Sequence, residues 1–180
     1  MALYAMAPAL AASDGFLNTR LGPVPHGLPA PSEVDMPKRF APGTVVVVVK
    51  HRRLYYVTRR GKALRYVVGV GREGMGWKGT AKIARKVEWP TWTPPAEMRA
   101  RAREKGVTLP QQLDGGPGNP LGARALYLYQ NGKDTLYRIH GTNQPTELGL
   151  ANTSGCIRML NHHVVDLYNR VKSGTTVIVM

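Results

Sequence analysis

The sequence of 180 residues contains a single cysteine, so it cannot form an intramolecular disulfide bond. It also lacks any run of the roughly 18 apolar residues that a membrane-spanning helix requires. Acidic residues are scarce, because 11 Asp and Glu stand against 25 Lys and Arg, for a formal net charge of +14. The sequence therefore predicts no integral membrane segment and no disulfide framework. The lone thiol is either a small buried apolar group or a reactive one.

The excess positive charge lies entirely in residues 41–180, because residues 1–40 carry three basic and three acidic side chains. A basic surface attracts polyanions such as nucleic acid, an anionic membrane face or an acidic wall polymer. The basic run at 99–103 lacks the interleaved aromatic side chains that stack on bases, so nucleic acid is not the expected partner. A well-solvated basic surface is the alternative interpretation.

The N-terminal region differs from the rest in composition. Residues 2–11 are small and apolar and end in Ala9-Leu10-Ala11, a pattern typical of signal-peptide cleavage. No basic residue precedes them, so they are either a signal-peptide remnant or a disordered leader. Five prolines between positions 23 and 37 are expected to break regular structure across residues 12–40. We therefore predict a linker or arm over residues 1–40 and one domain over residues 41–180.

The remaining chain predicts mainly β structure. Runs of β-branched and aromatic residues predict strands at 44–50, 53–58, 63–70, 81–89, 123–130, 135–140 and 175–179. The dipeptide Asn131-Gly132 predicts a hairpin turn. Helices are predicted over 93–105, capped by Thr93, and over 161–172, capped by Asn161 and carrying an apolar stripe.

Two patterns resemble ligand sites but predict none. Residues 69–74 match the glycine spacing of a dinucleotide-binding turn, but the residues that follow are poor helix formers. His162 and His163 are adjacent, so their side chains diverge on a helix, and we predict surface histidines. No Cys/His or His/carboxylate spacing indicates zinc. The sequence therefore predicts neither a cofactor nor a metal.

Catalytic chemistry is indicated by the segments 137–143 and 153–159. A thiol attacks carbonyls as a thiolate, and its ordinary pKa of about 8.5 means that it needs a base or a positive neighbour. His140 ends a predicted strand 16 residues before Cys156, and Arg158 adds positive charge. Gly155 leaves the backbone open, so that nearby N–H groups can stabilise an oxyanion. On these grounds alone, a buried core cysteine remains the alternative.

The same segments resemble the signature of the L,D-transpeptidase catalytic domain, the YkuD family. That signature is an H-G-T-N-like segment followed by [S/T]-H-G-C, an apolar residue and Arg or Asn. The resemblance extends to residues 69–71, 88–95 and 115–122, and so spans 41–180. It implies a β-sandwich or flattened barrel with a few short helices.

The resemblance also implies roles for individual residues. Cys156 corresponds to the nucleophile that forms a thioester, His140 to the general base, and the Gly141 carbonyl to the group that orients the imidazole. The N–H groups of Gly155 and Cys156 correspond to the oxyanion hole. The implied substrate-binding residues are Arg158, Ser154, Asn143 and Thr142. Ser154 departs from the pattern, because the family often has His there.

The implied reaction is ping-pong acyl transfer on peptidoglycan, without cofactor or metal. The thiol would attack a donor tetrapeptide stem and expel its terminal D-alanine. The amine of a second stem would then resolve the thioester as a 3→3 cross-link. A monomer that is exported to the bacterial periplasm or cell envelope, supports cell shape and is acylated by carbapenems is expected. The alternatives are an L,D-carboxypeptidase, a ligase joining envelope proteins to peptidoglycan, and a non-catalytic basic domain that binds the wall or nucleic acid.

Overall fold

The computed structural model describes residues 20–72 and 76–180, in which strands predominate. The predicted signal-peptide remnant lies outside these residues. The strands are β1 Ser32–Asp35, β2 Val45–Val48, β3 Arg53–Arg59, β4 Lys62–Val67, β5 Val70–Gly71, β6 Gly79–Glu88, β7 Arg124–Gln130, β8 Lys133–His140, β9 Ala151–Thr153, β10 Ile157–Arg158 and β11 Thr176–Val179. The helices are α1 Ala96–Glu104 and α2 Asn161–Arg170, and short 3-10 turns cover Val49–His51 and Pro145–Glu147. The predicted mainly β class is confirmed.

Nine strands form one sheet in the order β1-β4-β3-β2-β11-β6-β7-β8-β10, and β5 pairs with β9 in a second, two-stranded sheet. Strands β2, β3 and β4 form the predicted antiparallel meander. Strand β11 lies in the middle, parallel to β2 and antiparallel to β6, and so joins two four-stranded halves. Within the described residues β1 is a free edge of the sheet, whereas Arg158 on the outer side of β10 is bonded to Gly69. The large sheet is therefore a flattened, open arrangement rather than a closed barrel.

The main core forms where the sheet curls around α2. Val164 and Leu167 of this helix are fully buried among side chains from both halves of the sheet, including Leu54, Ile83 and Ile139. The apolar stripe predicted from the 3.6-residue period is therefore the buried face of the helix. Because α2 follows β10 directly, its burial fixes the position of the preceding segment.

The valine run in β2 is buried on both faces, as predicted. Val45 and Val47 pack in the core around α2, whereas Val46 packs with Met36 and Phe40 on the opposite face. Alternate residues of a strand point to opposite faces, so an unbroken run of valines suits a strand covered on both sides. The segment 36–40 provides the second cover.

One part of the proposed arm belongs to the sheet. Ser32–Asp35 pairs antiparallel with β4, and ion pairs join Glu33 to Arg59 and Asp35 to Lys62. The expectation that prolines exclude regular structure from residues 12–40 is therefore wrong for β1. Prolines flank this strand instead of interrupting it, which an edge strand tolerates because one side of its backbone is unpaired.

Both predicted helix caps are wrong. The N-cap residues are Pro95 for α1 and Leu160 for α2, and neither makes a side-chain capping bond. Thr93 precedes α1 by three residues, and Asn161 is already the first residue of α2.

The prediction of surface histidines is wrong for His163, which is 5% exposed and packs edge-on against Tyr66. It is buried because α2 lies against the concave side of the sheet.

The described part of the glycine-rich segment, residues 69–72, does not have the form of a dinucleotide-binding turn. Val70–Gly71 is strand β5, and the described residues from 76 onward lead into β6 without a helix.

Neither helix in the described chain has the length and apolar character needed to cross a membrane.

Leu167→Ala should lower the free energy of unfolding by about 2–5 kcal/mol, because it leaves a cavity in the core around α2. Leu136→Ala is the matched control, since Leu136 is 76% exposed, and it should change stability by less than about 0.5 kcal/mol. Urea unfolding followed by circular dichroism measures both. Equal stabilities for the two variants would contradict the placement of α2 in the core.

Candidate active site

The two residues predicted to carry the chemistry lie side by side in the sheet: His140 ends β8, and Cys156 directly precedes β10, which runs parallel to β8. In the β8–β10 pair, Ile157 stands beside Ile139 and Arg158 beside His140. Ile139 and Ile157 both point into the core. Because side chains alternate along a strand, the opposite face carries the flanking residues. Those residues are Arg138, His140, Cys156 and Arg158.

His140 is held by the residue that follows it. Its Nδ1 lies 2.7 Å from the Gly141 carbonyl oxygen. A carbonyl only accepts, so Nδ1 carries the proton and Nε2 keeps its lone pair. Burial lowers the pKa of His140 to about 4; the Gly141 bond opposes that shift, and the charges of Arg158 and Arg138 add to it. At neutral pH the imidazole is therefore uncharged and can accept a proton through Nε2.

Cys156 is half-buried and its thiol is protonated at neutral pH. Burial raises the pKa of the thiol, while a hydrogen bond from the Arg138 backbone and the charges of Arg138 and Arg158 lower it. The resting pair is therefore a thiol with a neutral imidazole, and not a thiolate with an imidazolium. Arg138 was not among the predicted site residues. The signal for it was present, because it lies two residues before His140 on the same strand.

The turn before Cys156 is shaped by Thr153. The Thr153 hydroxyl donates to the Cys156 carbonyl at 2.7 Å and accepts from the Gly155 amide at 3.1 Å. Gly155 has φ 124°, a conformation that glycine adopts most readily. The Gly155 amide is thus bonded within the turn, and its role as an oxyanion donor stays a prediction. The Cys156 amide has no acceptor within residues 20–72 and 76–180 and remains the available donor.

The side chain of Asn161 clamps the loop that follows His140. Its Oδ1 accepts from the amides of Ala123 and Thr142 at 3.0 and 3.1 Å. Its Nδ2 donates to the carbonyls of Leu21 and Thr142, both at 3.0 Å. The residue is 5% exposed, and these bonds use both lone pairs and both donors of the amide.

The bonds made by Asn161 explain why positions 122 and 141 are glycines. A Cβ atom at either Gly122 or Gly141 would lie 2.2 Å from Asn161 Oδ1, so both positions must lack a side chain. Because Asn161 grips Thr142 on both its amide and its carbonyl, it also fixes the neighbouring Gly141 peptide. That peptide carries the carbonyl that bonds His140. Asn161 is therefore a positioning residue for the imidazole, a role that its sequence position beside a helix start concealed.

Two predicted substrate-binding residues belong to the same loop. Thr142 is 3% exposed, and its hydroxyl accepts from the Gln144 amide at 2.9 Å. The Thr142 side chain therefore shapes the loop, and its direct contact with substrate stays a prediction. Asn143 is exposed, and its Nδ2 donates to the Gly118 carbonyl at 2.9 Å. It ties the loop to the glycine-rich segment 115–122.

The other two predicted substrate-binding residues lie two positions on either side of Cys156. Ser154 is exposed beside the turn. Arg158 is half-buried, and its Nη1 forms an ion pair with the carboxylate of Glu147. Glu147 thus occupies one end of the Arg158 guanidinium, a partner that sequence reasoning did not identify. In the described part of the chain, no group of three His, Cys, Asp or Glu side chains is arranged to hold a metal ion.

The chain matches one protein family and several curated proteins. The family model described as YkuD, L,D-transpeptidase catalytic domain, matches residues 42–179. The protein named Probable L,D-transpeptidase YbiS from Escherichia coli K12 is 35% identical over 151 residues, which cover 82% of this chain and 47% of that protein. Probable L,D-transpeptidase ErfK/SrfK from the same organism is 34% identical, covering 83% and 47%. The chain thus spans about half the length of the curated relatives it matches.

Solved structures share the fold. A crystal structure from Brucella melitensis, named a probable carnitine operon oxidoreductase, is 46% identical with a TM-score of 0.55, covering 84% of this chain and 93% of that one. L,D-transpeptidase 3 from Mycobacterium tuberculosis is 14% identical with a TM-score of 0.55, covering 76% and 60%. At that identity the second likeness shows the fold alone.

Asn161→Ala should destabilise the protein and loosen the imidazole. Buried amide and carbonyl groups lose their partners, so we expect a loss of about 2–4 kcal/mol in urea unfolding. The 15N shifts of His140 should change from a single Nδ1-protonated tautomer to a mixture.

Asn169→Ala is the matched control, because Asn169 is exposed on the same helix. It should leave both measurements unchanged. A variant of Asn161 that kept the His140 tautomer would show that the clamp does not position the ring.

Proposed function

The chain belongs to the YkuD family of L,D-transpeptidase catalytic domains, and from this membership we propose that it is a cysteine acyltransferase acting on peptidoglycan stem peptides. Cys156 is the nucleophile and His140 the general base. The observation that supports the proposal is that His140, at the end of β8, and Cys156, directly before β10, fall on one face of the parallel β8–β10 pair. The ring of His140 is held there by the Gly141 carbonyl.

The first half-reaction forms a thioester. Nε2 of His140 takes the thiol proton as the sulfur attacks the amide carbonyl of the L-centred diamino acid in a tetrapeptide stem. The free Cys156 amide stabilises the developing oxyanion. The intermediate collapses by breaking the C–N bond, and His140 returns the proton to the departing D-alanine. Because the thiol has a raised pKa and the imidazole a lowered one, the proton moves during the attack and not before it.

The second half-reaction releases the enzyme. The side-chain amine of a second stem attacks the thioester, His140 removes its proton, and the thiol leaves. The product is a 3→3 cross-link. Water as acceptor would give an L,D-carboxypeptidase, and a protein amine would give an envelope-protein ligase. A non-catalytic wall-binding domain is the alternative of another class.

The proposed setting is the periplasm or cell envelope, where the enzyme works as a monomer and its cross-links support cell shape. The net charge of +14 suits an anionic wall polymer. Glu147 bonds only Nη1 of Arg158, so we propose that a stem carboxylate contacts the remaining guanidinium N–H groups. Exposed Ser154 and Asn143 are the proposed neutral contacts.

The name of the Brucella structure suggests a different chemistry, which we do not propose for this chain. A dinucleotide-dependent oxidoreductase of the glycine-motif type needs a helix directly after its glycine turn. Here Gly71 ends strand β5, and the described residues after 76 enter strand β6.

Incubation with a carbapenem or a tetrapeptide stem should add one acyl group to the protein on intact mass spectrometry. Cys156→Ala should show no adduct, and His140→Gln should slow acylation by about 10²- to 10⁴-fold through loss of the base. Asn169→Ala is the control, and it should be acylated at the wild-type rate.

The acyl acceptor is identified by mass spectrometry of the products formed from muropeptides. Cross-linked dimers support transpeptidation. Shortened stems without dimers would contradict it and favour the carboxypeptidase, whereas a wild-type thiol that resists acylation would favour the binding domain.

The pH dependence of kcat/KM should carry the signature of a buried imidazole. His140 is active when neutral, so the rate should fall as the pH drops through about 4, and no inflection should appear near 6.5. Arg138→Gln removes a charge that lowers the pKa of His140. In this variant the fall of kcat/KM at low pH should therefore occur at a higher pH than in the wild type. Stopped-flow acylation between pH 3.5 and 8 tests both. A wild-type inflection at 6.5 would show that His140 is solvated.

A further inference from the structure

The face that carries Cys156 continues across the sheet as a row of side chains. On β8, Arg138 is level with Cys156, which comes one residue before the Ile157–Ile139 pair. On β7, Tyr127 stands directly opposite Arg138. On β6, Arg85 stands directly opposite Tyr127. Four neighbouring segments thus place one thiol, two arginines and a tyrosine in a line on a single face.

The ring of Tyr127 lies between the two guanidinium groups. The guanidinium carbon of Arg138 is 4.3 Å from the ring centroid, and that of Arg85 is 4.9 Å away. Both distances fall within the range of cation–π contacts. Stacking restricts the rotamers of Arg85, so a ligand that binds this side chain loses less conformational entropy than with a mobile one.

The three arginines of this face differ in their partners. Arg138 forms two bonds to the Asp134 carboxylate, at 2.7 and 2.8 Å, and Arg158 pairs with Glu147. Arg85 is exposed and has neither a hydrogen bond nor an ion pair to any residue in 20–72 or 76–180. The Arg85 guanidinium is therefore held against the Tyr127 ring while its N–H donors remain available to a ligand.

We propose that Arg85, stacked on Tyr127, is a carboxylate-binding subsite for the acidic peptide whose carbonyl is attacked by Cys156. This inference rests on the proposed function and adds a determinant of substrate binding to it. The guanidinium fork matches a carboxylate in a bidentate geometry. Its role is to hold the substrate and not to take part in proton transfer.

The spacing suits a short peptide. Strands lie about 4.8 Å apart, so the three steps from β10 to β6 span about 14 Å. An extended peptide covers about 3.3–3.6 Å per residue and crosses that distance with about four residues. An acidic stem peptide that starts at the thiol and runs across the sheet therefore brings a carboxylate within reach of Arg85.

The test uses binding to the Cys156→Ala protein, which needs no chemistry. A synthetic tetrapeptide stem is titrated by calorimetry into this protein, with and without Arg85→Gln. We expect the added substitution to weaken binding roughly 3- to 10-fold, the range for one solvent-exposed charge-assisted contact. A stem whose carboxylates are primary amides should bind both proteins equally.

Arg60→Gln is the matched control, because it removes the same charge from the β3–β4 turn at the other end of the sheet. It should leave binding unchanged. If Arg85→Gln and Arg60→Gln bind the acidic stem equally, the subsite is refuted. Failure of the proposed function has a different signature, since the wild-type protein would then form no acyl-enzyme while peptide binding still reports on Arg85.

Discussion

One buried amide controls the geometry of the active site. Asn161 joins three stretches of chain: the arm at Leu21, the entry to β7 at Ala123, and the loop after β8 at Thr142. A fully satisfied polar group in a low-dielectric interior is rigid, because every alternative leaves an unpaired donor or acceptor. The orientation of the Gly141 carbonyl, and with it the tautomer of His140, follows from this rigidity.

Burial and charge act on the thiol and the imidazole in different ways. Burial keeps both uncharged, whereas the charges of Arg138 and Arg158 favour the thiolate but disfavour the imidazolium. Storing a charged pair in the resting site is therefore unfavourable. Asp134 and Glu147 lie against the two arginines and moderate their field. The site is consequently suited to a proton transfer that is coupled to bond formation.

The sequence predicted what depends on local pattern. The Val45–Val47 run, the Asn131-Gly132 hairpin and the apolar stripe of α2 each have a periodicity or turn chemistry that acts over a few residues. The functions of Asn161 and Arg138 depend on distant partners: Asn161 bonds residues 19 and 140 positions away. A local rule assigns an asparagine at a helix start to capping. Only the parallel pairing of β10 with β8 shows which residues face the thiol.

The central position of β11 has a consequence for how the chain reaches this structure. Strands β1 to β4 and strands β6 to β10 of the large sheet are bridged by residues 176–179, which lie far from both β2 and β6 in sequence. The two halves cannot unite until that segment has been synthesised. Contacts of such long range make folding slow. A growing chain therefore holds an incomplete sheet with exposed edges until residues 176–179 join its two halves.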